Sequence, residues 1–183
     1  SGGGSITVTG DINAAGAVHI SASDTGYFGN SSGGNINLKG VTGKTVEVDT
    51  KAKYGANIIA TSLHATGNAS IGSVNLHASA SSGSAAANGN IYIAGGGGIT
   101  ADHGTVSLQV QGGGGITVSG PINAGGGVEI GGGSPVAGFN LGDITAGNEV
   151  NIYESGVITG ANTLKVGNVT AGSSFSVYIY QTG

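Results

Sequence analysis

The chain has no cysteine, methionine, tryptophan or arginine, and only 2 prolines and 3 phenylalanines in 183 residues. Without cysteine no disulfide is available and none can misform in an oxidising compartment, a composition compatible with secretion. Charge is equally scarce, at 8% charged residues and a net charge of −4. Five lysines, scattered at 39, 44, 51, 53 and 165, cannot build the basic stripe that nucleic acid requires, so no nucleic-acid partner is expected. No run of about 18 apolar residues is present to span a bilayer, so no membrane insertion is expected. The opening "SGGGSITVTG" reads as neither a signal peptide nor an initiator sequence, and points to a segment processed or excised from a longer chain.

What the chain does have is glycine, 40 residues of it, beside 38% hydrophobic residues. Glycine does not recur at every third position and proline is almost absent, which excludes collagen. The apolar content is too high and the charge too low for simple disorder. Isoleucine and valine recur in alternating doublets, "ITV", "VHI", "INL", "VEV", "VNL", "IYI" and "VEI". Each carries the period of two that belongs to a half-buried strand. No stretch of ten residues keeps a helical period between glycines, so little or no helix is expected.

The doublets belong to a longer repeat. "GDINAAGAVHI" at 10 to 20 returns as "GPINAGGGVEI" at 120 to 130 and as "GDITAGNEVNI" at 142 to 152. An apolar residue at position zero, Ala or Gly at +2 or +3, and apolar residues at +6 and +8 define a motif with six copies. They start at Ile12, Leu63, Ile122, Ile144, Ile158 and Val169. Copies from Val41 and Ile99 fit with one residue fewer and one more. Residues 2 to 20 match 112 to 130 without a gap at 13 of 19 positions, an offset of 110; the third copy lies 132 from the first. Both offsets are multiples of 22, which implies coils of about 22 residues and roughly eight coils in all.

A single-stranded, right-handed parallel β-helix accounts for every part of this motif. Each coil sets a short strand beside its equivalent in the previous coil, about 4.8 Å away, so branched aliphatic side chains stack on their own kind. Small residues then allow a corner where a larger Cβ would clash or where positive φ is needed. Intervening residues such as His19, Glu129, Asn151 and Lys165 should face solvent. We expect one all-β solenoid over 1 to 183, with loop excursions near 21 to 34 and 77 to 90, where small polar residues displace aliphatic ones.

The pattern GxI[NT]A[AG]xxVxI resembles the degenerate repeats of filamentous-haemagglutinin-type exoproteins, the adhesins and toxin stalks exported by two-partner secretion. The resemblance is best at 2 to 20 and 112 to 180. It implies a Gly-, Asn- and Ser-rich β-helical shaft, secreted to the bacterial surface, that acts in adhesion. It supplies no functional residue to carry over, and the family's secretion domain has no counterpart in the chain.

Candidate contact residues are aromatic. Tyr27 and Phe28 are adjacent within the first excursion, where they either form a contact patch or fold back over the rod. Tyr92, Tyr153, Tyr178 and Tyr180 alternate with inward residues and should face outward, available to sugars or to a neighbouring rod. Chemistry finds less support. The acids are scattered, and although Glu47 and Asp49 in "VEVDT" should share an outward face, a solvated strand face explains them. Asp102, His103 and Ser107 are close in sequence, which is not triad geometry. His19, His64, His77 and His103 lack metal-ligand spacing, and "GGGG" at 95 to 98 and 112 to 115 precedes neither lysine nor helix. No catalytic, cofactor or metal residue is therefore assigned. The expected function is a non-catalytic structural rod of a secreted adhesin or filament. Its expected partners are itself, end to end or laterally, or cell-surface glycans. A polysaccharide-binding or polysaccharide-degrading β-helix is the alternative, and an ice-binding solenoid is disfavoured because rows of Thr are not sustained.

Overall fold

A computed structural model describes residues 4–24, 34–81, 89–133, 136–155 and 164–180. Among them every regular element is a strand and every strand pairing is parallel. The chain winds past three faces in turn, seven times. Rung 1 is β1 (Ile6–Thr7), β2 (Ile12–Asn13) and β3 (Val18–Ser23); rung 2 is β4 (Ile36–Asn37), β5 (Gly40–Gly43) and β6 (Val46–Ala52). Rung 3 is β7 (Ile58–Ala60), β8 (Ser62–Ala65) and β9 (Val74–Ala80); rung 4 is β10 (Ile91–Ile93), β11 (Ile99–Ala101) and β12 (Val106–Gln111). Rung 5 is β13 (Gly115–Val118), β14 (Ile122–Ala124) and β15 (Val128–Gly133); rung 6 is β16 (Gly138–Leu141), β17 (Ile144–Ala146) and β18 (Val150–Ser155). Rung 7 is β19 (Leu164–Val166), β20 (Val169–Ala171) and β21 (Phe175–Tyr180). The first, second and third strands of the rungs form sheets A, B and C, each seven strands wide. The result is a β-solenoid of about six turns, as the repeat implies.

Register follows from the aliphatic columns. In sheet B, Ile12, Val41, Leu63, Ile99, Ile122, Ile144 and Val169 stand in one line. Sheet C stacks Val18, Val46, Val74, Val106, Val128, Val150 and Phe175, with a second column through Ile20, Leu108 and Ile152. From Ile36 to Ile152 these inward side chains are almost wholly buried in one continuous core. A slip of one residue would turn a whole column out to water, so the pairing is strongly specified. Asparagines add a polar ladder beside sheet A: Asn90 donates from Nδ2 to Asn57 Oδ1, and Asn57 from Nδ2 to Asn35 Oδ1, each at 2.8 Å.

Coil length and number differ from the expectation of about eight coils of about 22 residues. The 110 residues from Ile12 to Ile122 make four coils, through Val41, Leu63 and Ile99, rather than five. Only some coils are 22 long: Val41 to Leu63, Ile122 to Ile144 and Val106 to Val128 are, whereas Leu63 to Ile99 is 36. Parallel stacking constrains the strands and leaves the connections free to lengthen, so the multiples of 22 are coincidental. Two motif copies are corrected with it. The copy from Ile158 is no rung, since Leu164 and Val166 belong to sheet A, not sheet C, and Ile158 lies outside the described residues. Leu63 does stand in the sheet B column of rung 3, but Ala69 and Ile71 are exposed in a turn closed by Gly72 N–H donating to Asn68 O. Val74 and Leu76 take the inward places instead. The looser copies, from Val41 and Ile99, are true rungs.

The corner between sheets B and C is set by proximity, not by positive φ. A Cβ on Gly125, Gly147 or Gly172 would lie 2.3, 2.1 or 1.9 Å from the carbonyl oxygen of Asp102, Gly125 or Gly147 in the preceding rung. Of the alanines before them, Ala124 and Ala146 are inward and buried, and Ala171 in the last rung is partly buried. The glycine runs at 95 to 98 and 112 to 115 do contain left-handed residues, Gly95, Gly96, Gly98, Gly112 and Gly113, and serve as corners. Residues 21–23 and 77–80, at the edges of the expected excursions, are strand; residues 25–33 and 82–88 lie outside the described residues.

Candidate functional site

Outward residues of sheet C form columns too, and one end of that face gathers two of the chain's histidines and two of its acids. Alternation from the inward Val46 and Val48 turns Glu47 and Asp49 of β6 outward together. Register then places His19 of β3 beside Glu47, and His77 of β9 beside Asp49. His19 Nδ1 lies 3.1 Å from Glu47 Oε2, and His77 Nδ1 lies 3.8 Å from Asp49 Oδ1. One ligand atom from each of His19, Glu47 and Asp49 falls within 4.8 Å of the others. Partial burial lifts the Asp49 carboxyl above its ordinary value, the Glu47 charge adds to this, and the histidines oppose it. His19 and His77, separated by 58 positions in the chain, thus flank one carboxylate pair. Spacing within the sequence gave no sign of this, because the two coils involved are 28 residues long, Val18 to Val46 to Val74. Knowledge of the register would have shown it.

The other candidates are dispersed. Asp102 pairs with His64 of β8, not with the adjacent His103: its Oδ1, just past the end of β11, lies 2.8 Å from His64 Nε2. Tyr27 and Phe28 lie outside the described residues. Tyr92 projects from sheet A beside Ile59, both exposed. Tyr178 and Tyr180 project from the last strand of sheet C with rings stacked, centroids 6.3 Å apart and planes 9° apart. Tyr153 is on the outer face as expected but lies down on it. Its ring occupies the space where a Cβ on Gly131 would sit, and its hydroxyl donates to Gln109 Oε1 at 2.8 Å or Glu129 Oε1 at 3.1 Å. Partial burial raises the phenol above its usual value.

Of the residues between inward positions, His19, Glu129 and Lys165 are exposed and Asn151 is half-buried. Glu129 and Glu149 border a hollow of about 100 Å³ with Thr105, Ser107 and Asn151. That is well below the roughly 300 Å³ at which small-molecule clefts begin. Compared with protein-family models, curated proteins and solved structures, the chain matches none.

Proposed function

We propose that this chain is a shaft module of a secreted bacterial surface adhesin or filament of the filamentous-haemagglutinin type, a non-catalytic rod that stacks end to end. The single observation that carries the reading is the uninterrupted interior. One axis and one core run through all seven rungs, from Ile6 to Ala171, with no second layer packed against them among the described residues. Such a rod has length and stiffness as its product, about 29 Å for six steps of about 4.8 Å. Its last rung leaves the inward-side residues Phe175, Val177 and Ile179 half exposed. A further rung, from the same chain or from a second copy, would bury them and continue the parallel pairing. In this reading the rod's partner is itself and its location is extracellular. Electron micrographs at rising protein concentration test this, with fibres expected whose width stays that of one solenoid. Short monodisperse rods at every concentration would count against stacking.

A second reading, binding of cell-surface polysaccharide, is favoured by the stacked Tyr178 and Tyr180 beside the hydrogen-bonded Tyr153. Flat aromatic faces with amide and carboxylate neighbours suit sugar rings. A Tyr178→Ser, Tyr180→Ser double variant should lose binding to cells or to a glycan array; retention at parental strength would remove this reading.

A further inference from the structure

We propose that the outer face of rungs 1 and 2 holds a divalent transition-metal site formed by His19, Glu47 and Asp49. Three features argue for it. First, neutral imidazole and paired carboxylates are the donor set for zinc-like ions; hard cations such as Mg²⁺ and Ca²⁺ take oxygen alone. Second, Glu47 and Asp49 put two like charges side by side on one strand, and none of the described ion pairs joins Lys51, the next residue on that face, to either of them. Their described partners are the histidines of the adjacent strands, His19 and His77, and a bound dication would neutralise both carboxylates at once. Third, the ligand atoms already lie within 4.8 Å of one another. Tetrahedral ligands at about 2.0 to 2.2 Å from zinc stand roughly 3.5 Å apart, so rotamer adjustment of exposed side chains closes the site. Three protein ligands leave a fourth position to water. His77, 3.8 Å from Asp49 Oδ1, lies on the far side of that carboxylate.

Coordination here joins β3 to β6 through side chains, so it fastens two rungs of the rod. The test is titration of the chain with Zn²⁺ alone, followed by calorimetry and by the ¹⁵N shifts of the imidazoles. One ion per chain is expected, with the His19 Nδ1 resonance moving on binding. His19→Ala, Glu47→Gln and Asp49→Asn should each weaken binding by about tenfold or more, and His103→Ala should not change it. Mg²⁺ should not compete. These substitutions are on the surface, so circular dichroism should match the parent's. Absence of Zn²⁺ binding, binding that survives Glu47→Gln and Asp49→Asn, or an unmoved His19 Nδ1 resonance would overturn the site. Fibre formation by the zinc-free chain is a separate readout, so failure of the metal site leaves the shaft reading standing.

Discussion

At the scale of single residues, the informative ones are those that break the rule of their column. Glu154 is inward-facing on β18, stacked between Gly132 and Ile179, almost fully buried, with Oε1 unpaired. Burial raises its carboxyl above the ordinary 4.5. The folded state therefore binds this proton more tightly than the unfolded state. Stability from this group is complete below about pH 4.5 and is lost as pH rises through the raised value. Glu154→Gln should therefore be more stable than the parent by about 1 kcal/mol at pH 7 and equal to it at pH 4, in paired denaturant melts. Equal stability at both pH values would show that the carboxylate finds solvent. Parity with Ile152 already puts Glu154 on the inner face, but a reading that searches for aliphatic residues passes over a carboxylate there. Glycines divide in the same way. Gly147→Ala drives a Cβ onto the Gly125 carbonyl and should cost about 1–3 kcal/mol, whereas Gly16, with open space around it, should accept Ala with little change. Sequence alone shows both as corner glycines; only the approach of the preceding rung separates them.

At the scale of elements, the motif located every strand of sheet B, because one aliphatic residue followed two later by Ala or Gly is what a narrow corner demands. It lost its way where a connection grew. The turn from Asn68 to Gly72 places Ile71 at the +8 position as a decoy, half exposed, while Leu76 fills the column. Replacing the two residues distinguishes the registers. Leu76→Ala should destabilise by about 2–5 kcal/mol, and Ile71→Ser by less than about 0.5 kcal/mol, as measured by urea unfolding. Similar costs at both sites would restore the spacing that the repeat first implied. Sheet A was the least legible face. "ITV", "INL" and "IYI" all fall on it, yet nothing in their alternation distinguishes them from the doublets of sheet C.

At the scale of the whole molecule, coil length is the quantity that local pattern does not supply, and the candidate site depends on it. His19 meets Glu47 because one coil happens to span 28 residues; at 22 it would face another residue. The same one-dimensional build governs stability. Strand pairing joins each rung only to its neighbours, so the core residues of rungs 2 to 6 are sandwiched while Ile6, Ile12 and Val169 are only half-buried. Opening should then begin at the ends and travel inward. In the dilute chain, hydrogen exchange should be slowest for amides such as Ile58, donating to Asn90 O, and Val106, donating to Gly127 O, and fastest in rungs 1 and 7. If rods stack, the end rungs become interior ones, and protection of Ile6 and Gly172 should rise with protein concentration while the central amides stay as they were. Concentration-independent exchange at both ends would mean that the exposed strand edges do not pair with another copy, and the proposed fibre would have to be built from a longer chain alone.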